Sequence, residues 1–239
     1  MAPCAGDLSR RSHVLSLAED PVRPGLLYAG TEFGVFGTID DGAHWFSLQL
    51  NLPTVPVHDI LVHPRERDVV LGTHGRGIWI LDSSRALEGL TAEVLASTGA
   101  VFEPRPTTRW TRFDRGRSSQ GDAFFRAPNP PDGVYLDYYV NPAWSGDVSL
   151  EILDAAGERV RALAVPDDRR SGLQRVIWDM RADPPEGGRG GRGGGRGGGQ
   201  GGGRGGGRGS AVDPGRYQAR LTVGTAVSTV PVVLLPDPG

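Results

Sequence analysis

Two stretches of eleven residues decide the fold of this chain: LLYAGTEFGVF at Leu26–Phe36 and VVLGTHGRGIW at Val69–Trp79. Each has an apolar run, a Gly-Thr pair, a short polar loop and a second apolar run, a pattern typical of a β-hairpin. Pro21 and Pro64, which precede the two stretches, are also 43 residues apart. A period near 43 residues with three or four short strands per unit is the size of a β-propeller blade. The sequence therefore predicts two blades, and the alternative is two unrelated hairpins of a sandwich.

Apolar runs separated by turn residues predict the strands of each blade. In the first blade the predicted strands are, in chain order, His13–Ala18, Leu26–Gly30, Gly34–Thr38 and a short piece at Trp45–Leu48. In the second blade they are Val57–His63, Val69–Thr73 and Gly77–Leu81. After these blades, a Leu- and Ala-rich segment predicts a short exit helix within Ser83–Ser97, and a strand is expected at Ala100–Glu103.

The rest of the chain predicts a linker and a second all-β region. Residues 104–132 are rich in Arg, Pro, Ser and Gly without a sustained period, so we expect a linker there. Six alternating segments from Gly133 onwards predict an immunoglobulin-like β-sandwich. Trp178 and Tyr217 are expected in its core, with the Tyr217 hydroxyl bonded to a nearby turn. The predicted fold class is all-β, and the predicted domains are 1–103, 104–132 and 133–239.

One segment of the sandwich region has an unusual composition. Residues 187–209 hold 17 Gly, five Arg and Gln200, and we expect a disordered insert between two strands. A segment of this kind can also bind RNA or other polyanions, which leaves polyanion binding as a distant alternative function. Without these five Arg the formal net charge falls from −2 to −7. That acidic balance argues against a nucleic-acid-binding core.

Composition excludes several classes of site. The chain has no Lys, which rules out a P-loop and Schiff-base chemistry. Cys4 is the only cysteine, so an intramolecular disulfide and a Cys-rich zinc site are excluded. No apolar run approaches the roughly 20 residues that span a membrane, and Met1–Arg11 lacks the apolar core of a signal peptide. We expect no cofactor, no metal site and no membrane partner.

The segment TIDDGAHW at Thr38–Trp45 fits the Asp-box pattern, in which Ser or Thr, Asp, Gly and Trp occupy four fixed positions. Asp40 can accept backbone N–H groups across a tight turn, Gly42 can supply a positive φ, and Trp45 can fold back into the blade. We therefore interpret Thr38, Asp40, Gly42 and Trp45 as a structural turn and not as a catalytic centre.

The residues around this motif resemble those of a known family. Leu27–Phe36, His63–Glu66 and Gly72–Asp82 are similar to bacterial Asp-box (BNR-like) proteins with sortilin-type propellers, which are often named glycosyl hydrolases. The later part resembles the Ig-like domain of flagellar hook-capping proteins, which commonly ends such propeller proteins, through Leu150–Asp154, Val176–Asp179 and Pro214–Tyr217.

The resemblance implies a function that the residues alone do not. Propellers have roughly four to eight blades, so the two blades found here are expected to be the C-terminal part of a longer protein. The resemblance implies a secreted protein, extracellular or periplasmic, with a binding or scaffolding role. Its ligand would be a carbohydrate or a protein on the propeller face. The alternative is part of a glycoside hydrolase whose catalytic residues lie mostly upstream, so enzymatic activity stays open.

Five polar residues are the candidate functional site. In a propeller, the hairpin loops that carry Glu32, His74 and Arg76 share one rim with the strand start at His58 and Asp59. Glu32 and Asp59 are the candidate catalytic carboxylates, because glycoside hydrolysis uses a carboxylate pair. His58, His74 and Arg76 are the candidate substrate-binding residues. The alternative interpretation is that all five are ordinary polar loop residues.

Overall fold

The computed structural model describes residues 7–8, 12–48, 51–111, 131–165, 171–184 and 209–239. Within these ranges the chain consists mainly of β-strands, with two short helices. The all-β class predicted from the sequence is therefore confirmed. The chain forms two compact units, unit 1 at Met1–Thr98 and unit 2 at Gly99–Gly239.

Unit 1 begins with a four-stranded antiparallel sheet, sheet A. Its strands follow one another as a meander, in the order β1 (Val14–Glu19), β2 (Leu27–Thr31), β3 (Gly34–Thr38) and β4 (Phe46–Ser47). Short connections between successive strands favour this antiparallel arrangement. Each strand lies where the sequence predicts one.

Sheet B follows with three antiparallel strands in chain order, β5 (Val57–Val62), β6 (Val69–Thr73) and β7 (Ile78–Leu81). Both sheets have a β-bulge in their first strand. The bulge lies between Val14 and Ser16 in β1, and between Val57 and Asp59 in β5. Because the two bulges are also 43 residues apart, the sequence repeat is a repeat of backbone geometry.

Sheets A and B pack against each other through a close approach at Gly30. A Cβ atom at Gly30 would collide with Ser16 Oγ and with the carbonyl oxygen of Val57. The Ser16 hydroxyl donates a hydrogen bond to that carbonyl at 3.1 Å, and Val57 is fully buried. Only glycine allows β2 to come this close to β5.

A buried polar cluster joins the turn after β1 to the end of unit 1. The Asp20 carboxylate accepts the backbone N–H groups of Val22 and Arg23 at 2.9 and 3.0 Å. The Arg23 guanidinium donates to the carbonyl oxygen of Leu87 at 2.5 Å. Burial first, and the nearby Asp20 carboxylate second, raise the pKa of Tyr28, so this hydroxyl stays neutral.

The exit segment contains two helices, α1 (Arg85–Gly89) and α2 (Ala92–Ala96), where the sequence predicts a single short helix within Ser83–Ser97. The prediction of one continuous helix is therefore wrong. Gly89 is a poor helix former, and the Thr91 hydroxyl accepts the Val94 N–H at 3.3 Å as the cap of α2. These two residues end one helix and start another.

Unit 2 contains two sheets. The strands are β8 (Gly99–Val101), β9 (Thr107–Thr108), β10 (Val134–Val140), β11 (Val148–Leu153), β12 (Arg159–Leu163), β13 (Gly172–Trp178), β14 (Gly215–Val223) and β15 (Ala226–Leu235). One sheet has the order β13-β10-β8, and the other has the order β12-β11-β14-β15-β9. Buried residues of both sheets form one hydrophobic cluster, so the two sheets enclose a common core.

Trp178 lies at the centre of this core and is fully buried. Its indole N–H donates to the carbonyl oxygen of Arg181 at 2.9 Å, which satisfies the only polar atom of the ring. The Tyr217 ring meets it edge-on, with 5.3 Å between centroids. The Tyr217 hydroxyl donates to the carbonyl oxygen of Asp213 at 2.8 Å, as the sequence predicts.

Two short strands of unit 2 lie outside the region that the sequence assigns to the sandwich. β8 pairs with β10, although residues 100–103 were expected with the blades. β9 pairs with β15 in parallel, although residues 104–132 were expected to be a linker. β8 overlaps the strand expected at Ala100–Glu103, but its partner and that of β9 are distant in the chain and leave no local signal in the sequence.

The described residues on either side of the Gly/Arg segment form a narrow neck. Ala182 N–H donates to Ser210 O at 2.9 Å, and Val212 N–H donates to Met180 O at 3.0 Å. The predicted disordered insert lies outside the described residues except for Gly209, which is buried. A Cβ atom at Gly209 would collide with the carbonyl oxygen of Ala182, so this last glycine belongs to the neck.

We predict that Trp178→Ala destabilises unit 2 by about 3–5 kcal/mol, because it removes a buried aromatic side chain and leaves a cavity. The measurement is the urea midpoint, followed by circular dichroism. The matched control is Trp110→Ala, which removes an exposed ring of the same unit and should change the midpoint little. Equal effects of the two changes would contradict the assignment of Trp178 to the core.

Deletion of residues 187–208 should leave the melting temperature of unit 2 unchanged or slightly higher. The neck keeps its hydrogen bonds. The shorter loop lowers the entropic cost of loop closure by about 1 kcal/mol of free energy. Gly209→Ala in the full-length chain should lower the melting temperature, since its Cβ has no space. A large loss of stability on deletion would show that residues 187–208 pack against the rest of unit 2.

Candidate functional site

The turn at Thr38–Trp45 has the hydrogen bonds that its sequence motif predicts. Asp40 Oδ1 accepts the Thr38 hydroxyl at 2.8 Å and the His44 backbone N–H at 2.9 Å. The Thr38 hydroxyl oxygen also accepts the Gly42 N–H at 3.0 Å, and Gly42 has a φ of 85°. Side-chain oxygens thus satisfy N–H groups that the turn leaves without backbone partners.

The Asp40 carboxylate is held in its ionised form. The backbone N–H of His44 lowers the pKa of Asp40 to about 2, and the His44 ring and the Thr38 hydroxyl act in the same direction. His44 Nδ1 lies 2.7 Å from Asp40 Oδ2, and this hydrogen bond raises the pKa of His44. The turn therefore contains an exposed ion pair when His44 is protonated.

Trp45 closes the turn but is only half-buried. Its indole N–H donates to Gly42 O at 3.1 Å, so the ring does fold back over the turn. Its backbone N–H donates to Asp7 Oδ1 at 2.7 Å. Trp79 of β7, whose counterpart in the 43-residue repeat is Phe36, makes a local bond of the same form from its indole N–H to Arg76 O at 3.0 Å. Each tryptophan fastens its turn or hairpin with a bond to the third residue before it.

The opposite end of unit 1 carries the five candidate site residues. The β2–β3 and β6–β7 hairpin tips lie beside the starts of β1 and β5, because Val14 pairs with Thr31 and Val57 with Thr73. The Ser16–Val57 hydrogen bond joins these two strand starts. Both hairpins and both strand starts are therefore at one end of unit 1, and the Asp40 turn is at the other.

Glu32 is paired with a histidine that the sequence analysis did not single out. Glu32 Oε2 accepts the His13 backbone N–H at 3.2 Å, and His13 Nδ1 lies 3.2 Å from the same oxygen. The backbone hydrogen bond is the main cause of the lowered pKa of Glu32, and the ring adds to it. The sequence could have indicated His13 through its position directly before β1, at the same end as the Glu32 hairpin.

His58 and His74 are brought together. Their ring centroids are 5.6 Å apart with an angle of 56° between planes. The bulge in β5 includes His58, while the His74 N–H donates to Pro56 O at 2.9 Å, which fixes the hairpin next to the strand start. This pairing depends on the bulge and cannot be read from sequence spacing.

Arg76 and Asp59 lie at the same end of unit 1 as the two histidines, but each is in different surroundings. Arg76 is exposed at the hairpin tip between Gly75 and Gly77, which both have a positive φ. Asp59 is exposed on β5, where it lies opposite Gly72 of the neighbouring strand. Glu32 is on the other sheet with His13, so the two candidate carboxylates have different immediate partners.

The end of unit 1 that carries these residues is suited to binding by hydrogen bonds and charge. Two imidazoles and a guanidinium can donate to carboxylate, sulfate or hydroxyl oxygens of a ligand. Among the described residues there is no group of three or more His, Cys, Asp or Glu that could hold a metal ion.

Comparisons with known proteins identify no family. No family model matches the chain, and no curated protein matches it. Among solved structures, the chain is similar to the extracellular domain of a hybrid two-component system from B. thetaiotaomicron, with 11% identity and a TM-score of 0.25. The match covers 94% of this chain but only 26% of that one. A TM-score of this size does not establish a shared fold.

The Asp40–His44 pair predicts a pH dependence of stability. Protonated His44 stabilises the fold below its unfolded pKa of about 6.5, and this contribution is lost as the pH rises through the raised folded pKa. Ionised Asp40 stabilises the fold above its unfolded pKa of about 3.9, and this is lost as the pH falls toward 2. The destabilisation by His44→Ala should therefore be largest between about pH 4 and 6.

The measurement is the melting temperature of wild type and His44→Ala from acid to mild base. In an Asp40→Asn background the same histidine substitution should have no pH-dependent effect, since its partner is gone. A difference between wild type and His44→Ala that does not change with pH would contradict the pair.

Proposed function

We propose that this chain is the C-terminal part of a secreted Asp-box β-propeller protein with a binding or scaffolding role. Unit 1 supplies two blades in this proposal. The support is the repeated three-stranded meander, with bulges 43 residues apart. The hydrogen-bonded turn around Asp40 supports the Asp-box assignment, because each of its four motif residues has a part in the turn.

Unit 2 is an immunoglobulin-like module in this proposal. Two mainly antiparallel sheets around one core, with a central tryptophan, are typical of that architecture. The Tyr217 hydroxyl bonded to the backbone of Asp213, four residues earlier, resembles the tyrosine corner of such domains.

The observation that carries the binding role is the exposed His58–His74 pair at one end of unit 1, with the exposed Arg76 on the same hairpin as His74. A carbohydrate or a protein with anionic or hydroxyl groups is the ligand that these donors favour. Hydrolysis is less well supported, because a glycosidase needs a general acid of raised pKa. The pKa of Glu32 is lowered instead, so this carboxyl group is poorly suited to donate a proton at neutral pH.

The proposed location is extracellular or periplasmic, which follows from the family resemblance. No helix in the described part of the chain is long and apolar enough to cross a membrane. The remaining blades of a longer parent chain would be its partners, and nucleic acid would not be one.

We expect the chain to bind at least one member of a panel of neutral and uronic-acid-containing oligosaccharides without cleaving it. Arg76→Ala should weaken that binding about tenfold, the size of one charge-assisted hydrogen bond. Arg65→Ala is the matched control, because it removes an exposed Arg from the turn at the other end of sheet B. Affinity is measured by calorimetry and cleavage by reducing-sugar release.

The outcomes separate the two candidate functions. Cleavage by wild type that is lost in Glu32→Gln would favour the glycoside hydrolase. Binding that responds equally to Arg65→Ala and Arg76→Ala would contradict a site at the His58–His74 end.

A further inference from the structure

His58 and His74 differ from the other histidines of the chain in the surroundings of their rings. The rings of His13, His44 and His63 each have a hydrogen-bond partner. The rings of His58 and His74 have none among the residues that the structure describes, and both residues are exposed. Each of the two rings faces the other instead. Their nitrogens are therefore available to a ligand from solution.

The backbone holds the two side chains next to each other. The bulge in β5 includes His58, and the His74 N–H donates to Pro56 O at 2.9 Å. The hairpin that carries His74 is closed by Thr73, whose N–H and hydroxyl donate to Gly77 O at 3.2 and 2.6 Å. Because folding already places both imidazoles, a ligand that needs both loses little entropy in ordering them.

The separation of the two rings fits a shared metal ion. An imidazole nitrogen lies about 2.0–2.1 Å from Zn²⁺, which places the ion about 3.2 Å from the ring centroid. Two rings on one ion, at a tetrahedral or slightly wider angle, therefore have centroids about 5.2–5.6 Å apart. The centroids of His58 and His74 are 5.6 Å apart, and the angle of 56° between the planes shows that the rings are not stacked in parallel. Because both residues are exposed, rotation of the rings can turn one nitrogen of each toward the same point.

The charges next to the pair do not select a cation by themselves. Asp59, which follows His58, is an exposed carboxylate, and Arg76, two residues after His74, is an exposed guanidinium. These opposite charges offset each other and are screened by salt. Affinity therefore comes from bonds to nitrogen, which Zn²⁺, Ni²⁺ and Cu²⁺ form readily, whereas Mg²⁺ and Ca²⁺ prefer oxygen ligands.

We propose that His58 and His74 together bind one divalent transition-metal ion of the Zn²⁺, Ni²⁺ or Cu²⁺ type, through one nitrogen of each ring. No third His, Cys, Asp or Glu of the described residues completes the group, so water or oxygen atoms of a ligand occupy the other positions of the ion. The inference goes beyond the proposed function, because the ion binds whether or not the chain binds a carbohydrate.

The test is calorimetric titration of the full chain with Zn²⁺ and Ni²⁺ at neutral pH, with Mg²⁺ as the ion that should not bind. His58→Ala and His74→Ala should each weaken binding about tenfold or more, because the second ligand acts at a high effective concentration. The double variant should bind at most about twofold more weakly than either single variant, since one substitution already removes the shared site. His44→Ala removes an exposed histidine at the other end of unit 1 and should bind like wild type.

The electron paramagnetic resonance spectrum with one equivalent of Cu²⁺ reports the nitrogen ligands directly. Wild type should show two imidazole nitrogens, and either single variant should show one. Arg76→Ala keeps both histidines and should bind the metal at least as tightly as wild type, although it is expected to weaken oligosaccharide binding. Metal binding and oligosaccharide binding can therefore fail independently. Circular dichroism verifies that all variants are folded.

Three results would overturn the proposal. The first is a wild-type chain that binds Zn²⁺ and Ni²⁺ no more tightly than the double variant, which would leave the two rings as a packing contact only. The second is additive losses in His58→Ala and His74→Ala, which would indicate two separate sites with one histidine each. The third is an equal loss in His44→Ala, which would place the ion elsewhere.

Discussion

The close approach of two sheets at Gly30 is the constraint on which unit 1 depends. With no Cβ at this position, β2 can lie directly against β5, and the Ser16 hydroxyl reaches the Val57 carbonyl oxygen. Val35, which lies opposite Gly30 on the neighbouring strand, is buried on the same face of sheet A. Any side chain at Gly30 would separate the sheets and expose these residues to water.

Polar side chains stabilise the turns and connections at both ends of unit 1. At one end, Asp40 uses its carboxylate to hold a tight turn, and hydrogen bonds keep it ionised. At the other end, Glu32 is likewise ionised by its contact with His13. Both carboxyl groups are thus stabilised in the charged form, and neither is suited to donate a proton at neutral pH.

In the second unit an aromatic pair has the central position. Trp178 and Tyr217 each satisfy their polar atom with a nearby carbonyl oxygen. The Trp178 ring is fully buried, and the partly buried Tyr217 ring packs against it. At the side of that core, Arg175 Nε and Nη2 donate to the two Asp137 carboxylate oxygens at 2.6 and 2.8 Å. This ion pair joins β13 to β10. Both aromatic residues could be predicted as core from their alternating strands, whereas the ion pair depends on register and could not.

The sequence by itself determined the strands, the 43-residue repeat and the turn around Asp40, because these depend on local apolar period and on residues close in the chain. Tertiary structure alone decided that β8 pairs with β10 and β9 with β15, and it alone placed the His58 ring against His74. It also decided which sheet faces are covered, since residues with the same pattern, such as Val35 and Ile78, differ only in what packs on them. Contacts between distant segments depend on register and on a neighbouring sheet, and neither leaves a local signal in the sequence.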